Sequence, residues 1–156
     1  MSVIELSKSI VRGATPAPVS ASFLAGEPNS EPRVLKVLIV DGCTVSGALT
    51  EAVVRHMSRF EPHITRVTTP RAARFAVAAD QFDAVIVDYS LEDACGLELL
   101  PDVTKNGTTA GILVADRLTV RITREAGAQG AVACFAKDKL SPKSIEAAVL
   151  GARAHS

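Results

Sequence analysis

The sequence predicts an α/β fold in which helices cover both faces of a doubly wound parallel sheet of five strands. After residue 33, short apolar runs rich in Val, Ile and Leu alternate with longer segments of helical period. This alternation indicates parallel strands, because parallel neighbours need crossover connections that place helices on the faces of the sheet. The composition of the runs agrees, since strands covered on both faces are apolar throughout.

Five strand and helix pairs follow one another along the chain. The predicted strands span residues 34–40, 64–68, 83–87, 112–114 and 132–136. The predicted helices span residues 45–60, 70–81, 96–106, 118–129 and 142–154. The buried face of the first helix is predicted to consist of Leu49, Val53, Val54 and Met57. The third helix should be interrupted or bent near Pro101, because proline lacks the N–H of an interior helical hydrogen bond.

Residues 1–33 are predicted to form a flexible N-terminal arm, and residues 34–156 the folded domain. The arm contains Gly, Pro, Ser and Ala at close intervals and cannot bury enough apolar surface to offset its ordering entropy. A turn or two of amphipathic helix at residues 3–11, with a docking role, is the alternative.

Composition limits the function classes. Seventeen basic residues balance seventeen acidic ones, so no net field draws the protein to nucleic acid or to an anionic membrane. The three cysteines show neither disulfide nor zinc spacing, which indicates a reducing compartment. No apolar run approaches the roughly 20 residues that span a bilayer. We therefore expect a soluble, cytoplasmic protein that binds no membrane.

Charged residues follow three of the predicted strands. Asp41 comes after the first strand, Asp88 after the third and Lys137 after the fifth. In open α/β sheets ligands bind beyond the carboxyl ends of the strands, so we expect these side chains to meet at one edge. Two carboxylates suit a hard cation such as Mg²⁺, and a lysine can neutralise phosphoryl oxygens. The pattern therefore predicts a site for a phosphoryl group and a divalent cation.

Three segments carry a resemblance to a known family: Lys36-Val-Leu-Ile-Val-Asp41, Asp83-Ala-Val-Ile-Val-Asp88 followed by Gly96, and Gly130-Ala-Val-Ala-Cys-Phe-Ala-Lys137. Two spacings along the sequence match those of this family: Gly96 lies eight positions after Asp88, and Lys137 lies seven positions after Gly130. From about residue 36 to 151 the chain resembles the receiver domain of bacterial two-component response regulators, the CheY-like superfamily, as an atypical single-domain member. The resemblance implies the flavodoxin-like strand order 2-1-3-4-5.

The resemblance also implies roles for individual residues. Asp88 would accept a phosphoryl group from a histidine kinase or phosphotransfer protein, as a carboxylate nucleophile. Asp41, Asp88 and the backbone carbonyl of Ser90 would hold Mg²⁺, and Lys137 would pair with Asp88 or with the phosphate. Because no effector domain follows the receiver, we expect output through protein contacts and do not expect an enzyme.

Four positions depart from the family pattern. Gly42 replaces an acid that commonly binds the metal, so Mg²⁺ binding should be weak. Ala115 and Cys134 replace the hydroxyl and the aromatic residue of the usual switch pair, and Glu92 replaces a proline near the acceptor. Two hypotheses remain open: Asp88 is phosphorylated but signals without the usual switch, or the domain is a degenerate pseudo-receiver that binds partners independently of phosphorylation.

Arg117, Arg121 and Arg124 recur at spacings that place them on one face of the predicted fourth helix. This face is either a solvated surface or a contact for a downstream protein, and it offers a surface for a homodimer. DNA binding is not expected, because no recognition module accompanies the basic residues. Asp116 and Asp138 either add charge beside the pocket or cap the helices that follow them; we favour the caps.

The sequence disfavours two other function classes. A flavodoxin-like or dinucleotide-binding enzyme is disfavoured, because the loop at residues 41–47 is neither a GxGxxG nor a Walker A motif and no Ser/His/Asp or Cys/His set is evident. A purely structural interaction protein would leave the charges at three strand ends without a common purpose.

Overall fold

The computed structural model describes residues 32–154, and the greater part of the predicted N-terminal arm lies outside these residues. Its main sheet has five parallel strands: β1 (Arg33–Val40), β2 (Phe60–Val67), β3 (Ala84–Asp88), β4 (Ala110–Ala115) and β5 (Ala131–Ala136). They lie in the order β2-β1-β3-β4-β5, which confirms the predicted order 2-1-3-4-5.

Helices cover both faces of this sheet. They are α1 (Thr44–Arg55), α2 (Pro70–Ala79), α3 (Gly96–Thr104), α4 (Val120–Ala128) and α5 (Pro142–Ala154). Between β3 and α3 the chain forms a short antiparallel hairpin, Ser90–Leu91 with Ala94–Cys95, and a 3-10 turn at Lys137–Lys139 follows β5. No helix within residues 32–154 combines the length and the hydropathy needed to cross a bilayer.

The core lies in two layers, one on each face of the sheet. Along β1, Leu35, Val37 and Ile39 belong to the layer that includes residues of α1 and α5, whereas Leu38 and Val40 belong to the layer that includes residues of α2, α3 and α4. All of these side chains are at most 1% exposed. The alternation explains why the run Val37–Val40 is apolar at every position, since both faces of the strand are buried there.

The turn between α1 and β2 differs from the prediction. The sequence pattern extended the helix to residue 60, but α1 ends at Arg55 and β2 already begins at Phe60. The buried carboxylate of Glu146, on α5, accepts the backbone N–H groups of Ser58 at 2.7 Å and Arg59 at 2.8 Å. This tertiary contact fixes the turn, so the local period alone could not locate it.

The predicted buried face of α1 was also partly wrong. Its buried residues are Gly47, Thr50 and Val54, whereas Leu49 is 65% exposed. A Cβ at Gly47 would lie 3.6 Å from the Asp41 Cβ, so α1 approaches the end of β1 closely through a small residue. The apolar pattern favoured larger side chains and missed this contact.

Two further boundaries differ. Helix α3 runs through Pro101 without interruption to Thr104. Helix α4 begins at Val120, with Thr119 as its N-cap, so Arg117 precedes the helix.

Candidate functional site

The three predicted site residues meet at the carboxyl end of the sheet. Asp41 follows β1, Asp88 ends β3 and Lys137 follows β5. The Lys137 Nζ donates a hydrogen bond of 3.0 Å to Asp88 Oδ2 and lies 3.7 Å from Asp41 Oδ2. The carboxylate side chains are nearly buried, at 3% exposure for Asp41 and 7% for Asp88. The central strands therefore present two carboxylates to one ammonium in a sheltered pocket.

Gly96 explains how the chain turns beyond Asp88. The hairpin after β3 brings Gly96 back over the strand end, where its N–H donates to the Tyr89 carbonyl at 2.7 Å. A Cβ at Gly96 would lie only 2.2 Å from the Asp88 carbonyl oxygen and 2.9 Å from Val87 Cγ1. Only glycine fits this close approach, which accounts physically for the spacing between Asp88 and Gly96.

Ser46 is a site residue that the sequence reasoning missed. Its hydroxyl donates to Asp41 Oδ2 at 2.6 Å and accepts from Lys137 Nζ at 2.7 Å. The sequence signal was only a serine five residues after Asp41, in the first turn of α1. This position becomes informative once Asp41 is known to lie beside the helix N-terminus.

Asp41 also holds the start of α1. Its Oδ1 accepts the backbone N–H of Cys43 at 2.9 Å, and Cys43 is the N-cap residue, whose sulfur accepts the Ser46 N–H at 3.5 Å. A carboxylate at a helix N-terminus is favourable, because the unpaired N–H groups and the helix dipole attract negative charge. Both oxygens of Asp41 are thus tied to the first turn of α1.

The charged groups of the pocket act on one another's ionisation. Burial raises the pKa of Asp88 above its ordinary value, and the neighbouring Asp41 carboxylate acts in the same direction, against the hydrogen bond from Lys137. Burial of Lys137 opposes its charge and is the largest single influence, yet its pKa is raised because Asp88, Asp41 and Asp116 together outweigh it. One ammonium does not neutralise the two buried carboxylates, so the pocket has an excess of negative charge.

The donors in this pocket fit a hard divalent cation, although weakly. Asp41 and Asp88 supply carboxylate oxygens, which Mg²⁺ prefers, and water would have to complete an octahedral shell. Within residues 32–154, no three His, Cys, Asp or Glu side chains converge into a ready-made metal cluster. The backbone N–H of Ser90 donates to Asp88 Oδ1 at 3.3 Å and orients the Asp88 carboxylate.

The residues that depart from the family pattern differ in their burial. Gly42 is exposed, and a Cβ there would make only ordinary contacts of 3.7 Å. Ala115 is 1% exposed at the end of β4 and brings no hydroxyl. Cys134 is partly buried, which raises the pKa of its thiol, and Glu92 is exposed in the hairpin turn.

The favoured role of Asp116 and Asp138 as helix caps was wrong. Asp116 has a side chain that is 88% exposed and lies 3.7 Å from Lys137 Nζ, while Thr119 caps α4. Asp138 lies within the 3-10 turn, and Ser141 holds the start of α5 through its hydroxyl, which accepts the Ser144 N–H at 3.1 Å. Asp116 is therefore a third carboxylate near the ammonium, on the solvent side.

The basic helix face predicted from Arg117, Arg121 and Arg124 contains only two of these residues. Arg121 and Arg124 lie on α4, but Arg117 precedes it and does not continue the helical face. All three side chains belong to exposed residues, and Arg121 pairs with Glu125 at 3.5 Å. The exposed arginines form one neighbourhood in sequence, without the helical register that the spacing predicted.

The chain matches no family model and none of the curated proteins. Solved structures do resemble it. The receiver domain of the response regulator NarL from Mycobacterium tuberculosis aligns with a TM-score of 0.66 and 18% identity over 78% of this chain and 98% of that one. A CheY-like receiver domain protein from Methanospirillum hungatei JF-1 aligns with a TM-score of 0.61 and 22% identity, over 79% and 99% of the two chains.

A response regulator from Burkholderia pseudomallei, solved with a phosphorylated aspartic acid, a calcium ion and citrate, aligns with a TM-score of 0.64 and 20% identity over 78% of this chain and 72% of that one. At identities of 18–22%, these likenesses show the fold alone. The chain has the fold of response regulator receiver domains.

Proposed function

We propose that this protein is a response regulator of a two-component phosphorelay that accepts a phosphoryl group on Asp88. The observation that carries the proposal is the nearly buried Asp88 carboxylate at the end of a central strand, with Lys137 Nζ at 3.0 Å and Asp41 beside it. The fold and this arrangement of charges together support the proposal. A fold alone would not, since one fold hosts many functions.

In the proposed transfer, an Asp88 oxygen attacks the phosphorus of a phosphohistidine. The new bond joins carboxylate oxygen to phosphorus, and the bond from phosphorus to the histidine nitrogen breaks, with its electron pair returning to the imidazole. Lys137 neutralises phosphoryl oxygens and is held at the acceptor by its hydrogen bond to Asp88. Mg²⁺, held by Asp41, Asp88 and the Ser90 carbonyl, would supply further neutralisation of negative charge.

The relative from Burkholderia pseudomallei supports this chemistry, because it was solved with a phosphorylated aspartic acid and a calcium ion. The raised pKa of Asp88 is compatible with it as well. A carboxylate with a raised pKa is more basic and gains more from a cation that relieves its repulsion with Asp41.

A degenerate pseudo-receiver is the second candidate. Buried Ala115 favours it, because no hydroxyl at the end of β4 can follow a phosphoryl oxygen. Exposed Gly42 favours it too, because it supplies no metal ligand. In this function the same fold would bind partners independently of phosphorylation.

Labelling of the purified protein separates the two candidates. Incubation with acetyl phosphate and Mg²⁺ should give a base-labile acyl phosphate on wild type. Asp88→Asn should abolish it, while Asp93→Asn, an exposed acid in the hairpin turn, should not. Wild type that stays unlabelled both by acetyl phosphate and by histidine kinases would favour the pseudo-receiver.

We further propose that the protein acts in the cytoplasm through a downstream protein that contacts the exposed Arg117, Arg121 and Arg124, and that it does not bind DNA. The same surface is the proposed site of a homodimer. Reversal of the three charges to glutamate should weaken capture of such a partner without unfolding the domain. A partner that binds the triple variant unchanged would show that these arginines are only a solvated surface.

A further inference from the structure

Ser46 occupies a position that the residues of the proposed transfer do not explain. A hydroxyl has one hydrogen to donate and lone pairs to accept with. Here the hydrogen goes to Asp41 Oδ2 at 2.6 Å, and Lys137 Nζ donates to the oxygen at 2.7 Å. The direct distance from Lys137 Nζ to Asp41 Oδ2 is 3.7 Å, too long for a hydrogen bond. Lys137 therefore reaches Asp41 through the serine.

The serine is itself held by a hydrogen bond of its backbone. It lies in the first turn of α1, and its N–H donates to the Cys43 sulfur at 3.5 Å. Cys43 in turn donates its own N–H to Asp41 Oδ1 at 2.9 Å. Both Asp41 oxygens are thus aligned by one helix turn, while each keeps a lone pair free to point elsewhere.

We propose that Ser46 is a positioning residue that orients Asp41 toward a divalent cation and holds Lys137 between Asp41 and Asp88. This inference rests on the proposed phosphoacceptor function and adds to it a residue that the family pattern does not include. The need for it arises from Gly42: where a second acid is missing, the one remaining carboxylate of β1 must be well oriented to bind a cation at all. Groups that hydrogen-bond a metal-binding carboxylate change metal affinity about 10- to 100-fold when they are removed.

Loss of the hydroxyl would also release Lys137. In wild type one N–H of the ammonium is committed to Ser46 and another to Asp88. Without the serine oxygen, the ammonium would move toward the two carboxylates and occupy the space where a cation must approach. Loss of the serine hydroxyl should therefore weaken cation binding and also hinder phosphorylation of Asp88.

Direct Mg²⁺ titration tests the inference. The chain has one tyrosine and no tryptophan, so its intrinsic fluorescence reports on Tyr89, next to Asp88. Ser46→Ala should raise the Mg²⁺ Kd about 10-fold or more, and Ser46→Thr, which keeps the hydroxyl, should restore it to near the wild-type value. Thr44→Ala, an exposed hydroxyl in the same helix turn, is the matched control and should leave the Kd unchanged.

Labelling by acetyl phosphate provides the second measurement. Ser46→Ala should raise the Mg²⁺ concentration for half-maximal labelling by the same factor as the Kd, and should lower the rate at saturating Mg²⁺ because Lys137 is displaced. A merely structural serine would lower stability in the absence of metal and leave the Kd alone.

An unchanged or smaller Kd in well-folded Ser46→Ala overturns the inference and leaves the proposed function standing. If Ser46→Ala does not fold, a well-folded Ser46→Thr whose Kd is raised above that of wild type overturns the inference in the same way. Wild type that binds no Mg²⁺ overturns it too. If wild type binds Mg²⁺ but is never labelled, the proposed function fails, while the Kd comparison still supports the role of Ser46.

Discussion

Replacement of Gly42 by aspartate should strengthen Mg²⁺ binding at the candidate acceptor site. Gly42 follows Asp41 directly and is exposed to solvent. A Cβ built at this position would lie 3.7 Å from the Glu92 nitrogen and 3.7 Å from the Thr68 oxygen, which is ordinary van der Waals contact. Its backbone φ is not positive, so an L-residue fits without strain. The fold therefore accepts the aspartate.

The charges of the pocket set the expected magnitude. Two nearly buried carboxylates, Asp41 and Asp88, now oppose the single ammonium of Lys137, and the variant adds a third carboxylate. An interaction with a charged group contributes about 1.5–3 kcal/mol, and solvent screening at an exposed position favours the lower end. Since about 1.4 kcal/mol corresponds to a factor of ten, the Mg²⁺ Kd of Gly42→Asp should fall about 10-fold.

Stability measured with and without metal provides the assay. In the absence of Mg²⁺, the added charge repels Asp41 and Asp88, so the free energy of unfolding should decrease. In saturating Mg²⁺, tenfold tighter binding should add about 1.4 kcal/mol to the stabilisation that the metal provides, against this decrease. The metal should therefore raise the free energy of unfolding more in the variant than in wild type. Gly42→Asn, which has a similar shape without the charge, is the control, and equal Kd values for the two well-folded variants would refute the reasoning.

Four further predictions concern single positions. Ala115→Thr in the Gly42→Asp background should further accelerate the labelling of Asp88 by acetyl phosphate, whereas Ala115→Val, of equal shape but without the hydroxyl, should not. Equal rates for the two would show that the hydroxyl does not reach the phosphoryl group. Asp88→Asn should raise the free energy of unfolding near pH 7 without metal and should flatten the dependence of stability on pH. The fold raises the pKa of Asp88 above 3.8. The stabilising contribution of this carboxyl is therefore complete below pH 3.8 and is lost as the pH rises through the pKa of the folded state. Urea denaturation from pH 4 to 8 would measure this, and parallel curves for wild type and variant would contradict it. Glu146→Ala should lower the free energy of unfolding by about 3 kcal/mol, because the backbone N–H groups of Ser58 and Arg59 lose their carboxylate acceptor. Glu146→Gln should lower it less, and a change under about 0.5 kcal/mol for the alanine variant would mean that the turn holds by itself. Gly96→Ala should destabilise the fold strongly, because the new Cβ would meet the Asp88 carbonyl oxygen at 2.2 Å. Gly127→Ala on α4, where nothing lies within 4 Å of the new Cβ, should raise the free energy of unfolding by about 0.5–1 kcal/mol. Comparable urea midpoints for the two variants would disprove the close approach at Gly96.

The fold was predictable from the sequence because its signals are local and repeated. Each central strand contains a continuous apolar run of four residues, Val37–Val40 in β1 and Ala84–Val87 in β3, and each helix that follows has its own period. The order of elements could therefore be read without knowledge of contacts. The three charged residues of the site were predictable for a related reason. They stand where apolar runs end, and parallel strands end at one edge of the sheet.

What the sequence could not show depends on contacts between distant elements. The end of α1 is set by Glu146 on α5, some ninety residues away, which binds the turn before β2. The outward position of Leu49 follows from the close approach of Gly47 to Asp41. Arg117 precedes α4 because the Thr119 side chain accepts the N–H of Ile122 and starts the helix there.

The candidate site divides in the same way. By itself, the sequence determined the alternation of strands and helices and the charged ends of β1, β3 and β5, because apolar period and strand polarity are written in neighbouring residues. Only the tertiary structure decided that Ser46 joins Asp41 to Lys137, that Asp116 faces the ammonium from the solvent side, and that Gly42 leaves room for a further carboxylate. These relations need distances of a few ångströms between side chains from different elements, and no periodic pattern along one chain encodes such distances.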